Sequence, residues 1–526
     1  MNRRELLSAG VSAAALLASP SILRAEEGKT LKFVPIQDLA IIDPIVTSSL
    51  STRCHAYLVF DTLYGLDKSY RATPQMLEGH AVEEDGKSWT LTLREELRFH
   101  DGEKVLARDA VASLKRWGKR DAYGGALFSV VDEVSALDDR KLRFRLKRAF
   151  ARLPDALAKT GPNMSAIMPE RLALTEASLP VKEVVGSGPF RFVAAEREPG
   201  ARLVYERHAS YVPRASGEIG YSSGPKLAKL ERVEWTIIPD PATAVAALQR
   251  GEVDWIEAPI PDLMPVLARD PGVVIRIADQ VGIIPILRFN CLTPPFDDAR
   301  MRRVVLAAVD QREVLAAYAS DDTILRPGVG VFPFGTPMEN RAGMEGLFIR
   351  TDIEKARRAL KDAGYAGAKV LLMAGADNPL TSAAGQVVAD LLARIGFNVD
   401  IPALDSATLI QRRTSREPVE KGGWSLFIVG YAGFDTSPAE SFLIRGNGKD
   451  AWFGWPTSPE LEHLRDAWID APSFAAQRRI AEEIQLQVWR DVPFVPLGQI
   501  VQKTAFRRNV TGVLDGFAKF YNVEKS

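Results

Sequence analysis

An α/β fold is predicted for this chain by three observations. Stretches of period-two hydrophobicity alternate with stretches of helical periodicity, one region of the C-terminal half reads as a complete β-α-β unit, and the composition is globular. Of the 526 residues 46% are hydrophobic and 25% charged, with 67 Lys and Arg against 67 Asp and Glu. A net charge of zero gives no electrostatic case for a nucleic-acid or acidic-lipid partner, so none is expected. The length suits two to four domains or one multi-lobed body, and past the N-terminus no run of apolar residues is long enough to cross a bilayer.

The first 25 residues, MNRRELLSAGVSAAALLASPSILRA, carry Arg3 and Arg4, a weakly apolar Ala/Leu stretch and a small residue, Ala25, at a suitable cleavage point. That is the pattern of an export signal, residues 1–25. The paired arginines match a twin-arginine leader, with Asn2 and Leu6 standing where serine or threonine and phenylalanine are usual. A periplasmic location follows. An exported chain can keep disulfides, and this one has Cys54 and Cys291 alone; their pairing stays open, and stability has to come from the core.

After the leader, KTLKFVPI reads as a first strand and QDLAIIDPIVTSS as a loop turned at Asp43-Pro44. WTLTLREELRF sets Trp89, Leu91 and Leu93 against Thr90, Thr92 and Arg94, and the turn EEDGK before it makes this one arm of a hairpin. HDG follows directly, with Asp101-Gly102 as turn chemistry. Ala107, Ala110, Val111, Leu114 and Trp117 then fall at helical spacing, with Asp109 in the first turn, where a carboxylate meets free N–H groups. Each polar residue of 98–117 therefore has a structural task. His100 has no second histidine or cysteine at ligand spacing, so the stretch is a joint and not a catalytic cluster.

Further on, VEWTIIPD is a strand, PATAVAALQRGEV a helix closed at Gly251, and DWIEA another strand. DDARMRRVVLAAVDQREVLAAYA reads as one helix capped at Asp297/Asp298. TDIEKARRALKDAGY opens on a capping box, Thr351 with Glu354, and stops at Gly364. AKVLLMAGAD, TSAAGQVVADLLARIG and FNVDIPALD form the β-α-β unit. WSLFIVGY is a strand with Trp424 as core, AQRRIAEEIQLQVWRDV a helix, and PFVPLGQ an extended return.

Signatures of catalysis fail on inspection. EGKT at 27–30 has the tail of a phosphate loop, but Leu23 stands where its first glycine belongs. GVGVFPFG has the wrong spacing for a dinucleotide turn and reads as a mobile loop. No G-x-S-x-G, H-E-x-x-H or C-x-x-C occurs. No catalytic residue, metal ligand or cofactor is assigned. An exported hydrolase using two carboxylates from distant segments stays open as the alternative, because such pairs are not local in sequence.

Six segments together resemble one family. They are LTLREELRFHDGEKVLARDAVASLKRW, VGSGPFRF at 185–192, LERVEWTIIPDPATAVAALQRGEVDW, FNCLTPPFDDARMRRVVLAAVDQREVL, DIEKARRALKDAGY and VPFVPLGQ. In this order they are similar to the extracytoplasmic solute-binding proteins of ABC importers, in the family with dipeptide-, oligopeptide- and nickel-binding members. The resemblance implies a two-lobed periplasmic-binding-protein-like α/β fold with a hinge and an extra domain on the first lobe. The first lobe is expected over 26–70, 186–282 and 495–526, the extra domain over 71–185, and the second lobe over 283–494. A monomer is implied that closes on a small solute (a peptide, an opine or another organic molecule) and presents it to a membrane permease.

In peptide-binding members a W-x-x-D-Y-x-D-P segment supplies an aromatic wall and an aspartate for the peptide amine. The matching stretch here is YAGFDTSP, 431–438, which puts Tyr431 at the tryptophan position, Phe434 at the aspartate position and Asp435 one residue later. Either Asp435 shifts in to meet a cationic ligand, or the pocket is more apolar and takes a non-peptide solute. Burying an ammonium against Phe434 without a counter-charge costs several kcal/mol, which favours the second. Core filling by Tyr431 and Phe434 remains a third reading. AWFGWP adds Trp452, Phe453 and Trp455 on an irregular run, where aromatics line sites more often than on a helix stripe. GPNMSAIMP offers Asn163 and Met164 from the extra domain.

Overall fold

The computed structural model describes residues 29–350 and 352–526. The expected export signal and Thr351 lie outside them. A twelve-stranded mixed sheet runs through the whole molecule. At one end Thr30–Val34 pairs in parallel with Arg232–Thr236 and Trp255–Ile256, and the antiparallel strands Arg202–Arg207 and Phe190–Phe192 complete that edge. At the other end Lys369–Ala374 lies parallel to both Asn398–Asp400 and Leu426–Ala432, with helix Pro379–Ile395 as the crossover of the expected β-α-β unit.

Two long strands join these ends into one two-lobed body. Val273–Phe289 pairs through residues 273–279 with Gln499–Arg507, and through 283–289 with Leu426–Ala432. The register shifts between Ile277 and Asp279 and again between Asp279 and Ile283. Gly282 lies in that break with φ +56, and a Cβ there would stand 2.0 Å from the Ile500 carbonyl oxygen, so only glycine fits the bend. Between the first strands and this crossing sits a separate four-stranded antiparallel sheet, in the order Leu77–Glu83, Ser88–Leu93, Lys141–Leu146, Val131–Ala136.

The joint at 98–117 is built as its residues predict. Asp101 Oδ1 accepts the Glu103 N–H at 3.2 Å, and Asp109 accepts the N–H groups of Leu106 and Glu170, both at 2.8 Å, ahead of helix Ala107–Gly118. His100 accepts the Gly186 N–H and donates through Nε2 to the Gly188 carbonyl at 3.1 Å. Burial drives its pKa down to about 3, so the ring is neutral and tautomerically fixed. Gly186 is required for close approach, since a Cβ would fall 2.0 Å from the Val59 carbonyl oxygen at the end of helix Leu50–Val59. From the same joint Arg116 reaches the fully buried Asp43, whose carboxylate also takes the N–H groups of Ile45 and Val181.

Three local expectations need correction. The single helix expected from Asp297/Asp298 is two, Ala299–Ala308 capped by Asp298 and Gln311–Tyr318 capped by Asp310, whose carboxylate takes the Arg312 N–H at 2.9 Å. Helix Ile353–Asp362 is capped by Asp352 through the Lys355 N–H at 3.0 Å. The glycine-rich segment 328–335 is irregular but held, not mobile: Val329, Val331 and Phe332 are buried. Gln311 bonds Gly328 and Val329, Gln485 takes the Val331 N–H, and Gln499 takes the Phe334 N–H. Cys54 and Cys291 are both free thiols.

Candidate functional site

A cavity of about 720 Å³ opens between the small sheet's domain and the second lobe, within the size range of small-molecule sites. Leu66, Ser69 and Tyr70 line it on the first-lobe side, and Arg71, Tyr123, Arg152, Asp155, Lys159 and Gly161 form the extra-domain wall. The opposing wall comes from Phe332, Met338, Phe434, Glu440 and Trp468.

Each wall follows from local chemistry. Asp121 caps helix Ala122–Val130 through the Gly124 N–H at 2.8 Å, and its other oxygen takes the Lys159 ammonium. Lys159 also donates to the Pro162 carbonyl, which fixes the loop that follows the short helix Leu153–Ala158. Across the cavity, strand Leu426–Ala432 ends in a tight turn, 433–436. Thr436 donates to the Gly433 carbonyl at 2.8 Å and Tyr431 donates to the Asp435 carbonyl at 3.1 Å. This turn directs Phe434 to the cavity and leaves Asp435 buried beneath.

Phe434 enters an aromatic clasp contributed by the other lobe. It stacks on Tyr221 with centroids 4.7 Å apart and planes 22° apart, and meets the edge of Tyr70 at 5.1 Å. Under the Tyr221 ring, at 4.1 Å, lies the Lys519 ammonium, which donates to the carbonyls of Tyr221 and Asp515. Burial lowers its pKa to about 7.

The charged groups are concentrated where the lobes meet. Asp435 is 8% exposed, and its Oδ1 has no hydrogen-bond partner. Burial raises its pKa to about 6 against the pull of Arg53 and Lys159, with Asp279 and Asp121 adding to the rise. Glu440 is raised to about 7, again by burial first. A carboxylate 3.7 Å from an ammonium would ordinarily be lowered. Here Lys159 is engaged first by Asp121, and although burial pulls its pKa down, Asp121, Glu440 and Asp435 together raise it. Glu440 receives only the remainder.

Of the residues proposed from sequence, Phe434 lines the cavity. Asp435 stands behind the wall, and Tyr431 is packed one layer further back against the core. Trp452, Phe453 and Trp455 do not line it. They join Trp424 and Phe427 in a separate cluster, where Arg413 covers Trp452 and Phe453, Arg416 covers Trp455, and Arg288 donates to the backbone of Phe453. Asn163 and Met164 are also elsewhere: Asn163 donates to the Ile45 carbonyl at 2.6 Å, and Met164 is buried in the first-lobe core. The sequence reasoning missed Tyr70, Tyr221, Lys159 and Glu440. Glu440 alone had a local signal, lying two residues past the YAGFDTSP stretch. Among the described residues no group of His, Cys, Asp or Glu is arranged to hold a metal ion, and no helix is long and apolar enough to cross a membrane.

Comparison with known proteins gives one family. The model described as "Bacterial extracellular solute-binding proteins, family 5 Middle" matches residues 71–453. The chain is 35% identical over 536 residues to a "Probable peptide ABC transporter periplasmic-binding protein" of Sinorhizobium fredii, with 100% of each chain covered. It is 24% identical to a "Glutathione-binding protein" of Pectobacterium atrosepticum, over 97% of this chain and 96% of that one. Among solved structures, a binding protein of A. tumefaciens R10 in complex with agropinic acid superposes with a TM-score of 0.78 at 22% identity, covering 94% of this chain and 99% of the other.

Proposed function

The chain belongs to family 5 of the bacterial extracellular solute-binding proteins, the solute-binding components of ABC importers, and from that premise we propose that it captures one small organic solute of the peptide or opine class between its lobes. The observation that carries this reading is the cavity of about 720 Å³ whose opposing walls belong to different lobes. A solute seated there touches both walls only when they are together, so its binding free energy favours the closed form. The names of the relatives support the ligand class: a peptide transporter component and a glutathione binder by sequence, an agropinic acid binder by fold.

Closure pivots where both long strands cross. Residues 278–283 combine two register shifts with the Gly282 bend, and Gly498, with φ +115, precedes the return strand Gln499–Arg507. A few residues of this kind absorb the rotation in a hinge, leaving each lobe rigid. We place the lobe boundaries close to this pivot, at 282/283 and 494/495. On closing, Phe434 reaches Tyr221 and Tyr70, and the closed face is what the membrane permease meets. The protein acts as a periplasmic monomer exported through its Arg3-Arg4 leader. The hydrolase alternative gains nothing from the site, where the neighbouring carboxylates Asp435 and Glu440 are arranged around Lys159.

Thermal-shift screening of peptides and opines tests this function. A solute at a hundred times its dissociation constant adds about 2.7 kcal/mol and raises the melting temperature. Recovery of the solute unchanged after prolonged incubation is expected; a panel without any stabilising member, or a solute that returns cleaved, contradicts the proposal.

A further inference from the structure

The cavity does not end at Phe434. Its wall continues over the last two helices of the second lobe, Pro459–Ile469 and Phe474–Asp491, which contribute Trp468 and Phe474. Ser473 accepts the Ala476 N–H at 3.2 Å and caps the second of these helices, which fixes the turn that carries Phe474. Phe332 and Met338 join them from irregular chain of the same lobe. Phe332, Met338 and Trp468 are anchored in the second-lobe core, whereas Phe474 is 52% exposed.

This end of the cavity offers carbon and little charge. The Trp468 indole N–H donates to Met338 Sδ at 3.4 Å, and Thr336 Oγ1 donates to the Pro333 carbonyl at 2.7 Å, so both polar groups are engaged within the lobe. On the facing wall Arg152 donates to Asp155 at 3.1 Å, and the pair carries no net charge. A lone exposed phenylalanine on a protein surface calls for no explanation. One that continues the apolar wall of Trp468 and Met338 inside a cavity marks area that a ligand covers. An ion pair between Arg148 of the extra domain and Asp470, two residues past Trp468, joins the two walls here, so this area is lined on both sides only in the closed form.

We propose that Phe474 is a specificity-determining residue of this protein and, with Trp468 and Met338, forms an apolar subsite for a large apolar side chain of the solute. The assignment rests on the peptide-or-opine reading and narrows it to members with such a side chain. The side chain lies against the ring of Phe474 and removes it from water, which a polar group of the same size does not repay.

The test uses matched sets: dipeptides with leucine at the first or the second position and opines built on leucine, against the same compounds with asparagine in its place. The two side chains are close in size and differ in polarity. Isothermal titration is read on the wild-type protein, on Phe474→Ser and on Phe474→Leu, with circular dichroism to verify that each variant is folded; the exposure of Phe474 makes both substitutions tolerable. Leucine members are expected to bind the wild type about tenfold or more tightly than their asparagine partners, and Phe474→Ser to cut that preference to about threefold or less while Phe474→Leu keeps it. Equal binding of both sets by the wild type overturns the assignment and leaves the ligand class standing. A folded Phe474→Ser protein with the full preference overturns it too. If neither set binds, the ligand class itself is wrong and the assignment falls with it.

Discussion

In ligand-free protein, Glu440→Gln is expected to be stabilising by an amount that grows with pH. The folded-state pKa of Glu440 is raised from 4.5 to about 7, so between those values the folded protein holds a proton that the unfolded chain has released. Wild-type stability is therefore lost as pH rises from 4.5 to 7, and the loss is complete above 7. The full shift corresponds to about 3 kcal/mol, of which about 1 kcal/mol is already expressed at pH 5. Glutamine mimics the protonated carboxyl and escapes this loss. With an unfolding entropy of about 2.1 cal/mol/K per residue, a chain of this length shifts by roughly 1 °C per kcal/mol. The variant is thus expected to melt about 3 °C above wild type at pH 8 and about 1 °C above it at pH 5.

The wild-type profile alone does not isolate this effect. His55 and His100, both lowered to about 3 by burial, add stability as pH rises from 3 to 6.5 and oppose the carboxylates. The difference between variant and wild type cancels these contributions. Lys159, Asp121 and Asp435 are the charged groups facing Glu440, and relief of Asp435 in the variant adds to the gain. Differential scanning calorimetry at pH 5, 6, 7 and 8 reads the difference. A pH-independent gap, or a variant less stable than wild type at pH 8, refutes the reasoning.

Three further outcomes follow from particular contacts. Phe434→Ala removes the stack on Tyr221, worth about 1 kcal/mol beyond its buried area, and is expected to populate a more open form with a larger radius of gyration; unchanged small-angle scattering counts against the clasp. Asp43→Ala leaves Arg116 charged and unpaired in the first-lobe interior and is expected to cost about 3–5 kcal/mol in denaturant titration, whereas a cost below about 1 kcal/mol contradicts the buried pair. Gly186→Ala pushes a methyl group into the Val59 carbonyl and is expected to destabilise by about 1–3 kcal/mol, measured by thermal melting; a neutral substitution means that the approach is looser than described.

The regular elements were legible because their residues repeat with the period of the backbone. Trp89, Leu91 and Leu93 are buried on one face of their strand, and Lys369–Ala374 and Asn398–Asp400 flank their helix as the β-α-β pattern required. The break before Gln311–Tyr318 was missed because Asp310 sits inside an otherwise continuous apolar stripe, where its capping is visible only once the chain has turned. The held conformation of 328–335 depends on Gln311, Gln485 and Gln499, which arrive from three distant segments, so glycine content alone misread it.

The site was less legible, for a similar reason. The match of YAGFDTSP to the peptide-binding pattern points to Phe434, and this side chain does line the cavity. The aromatic run Trp452, Phe453 and Trp455 was assigned to the ligand because it lies on irregular chain, yet guanidinium groups of Arg413 and Arg416 cover it. Aromatic content does not tell a ligand wall from a cation-covered cluster when the cations lie some forty residues away. Lys159, Gly161 and Tyr221 belong to other segments entirely, and only the packing of one lobe on the other brings them to Asp435 and Glu440.

Whether the lobes hold a solute and return it intact is tested most directly by native mass spectrometry of protein released gently from periplasmic extract, followed by unfolding and analysis of whatever leaves it. One small molecule per chain is predicted, which rebinds the stripped protein and keeps its mass on prolonged incubation. A chain that carries nothing and gains no adduct from periplasmic extract, or one that returns the molecule cleaved, contradicts the account.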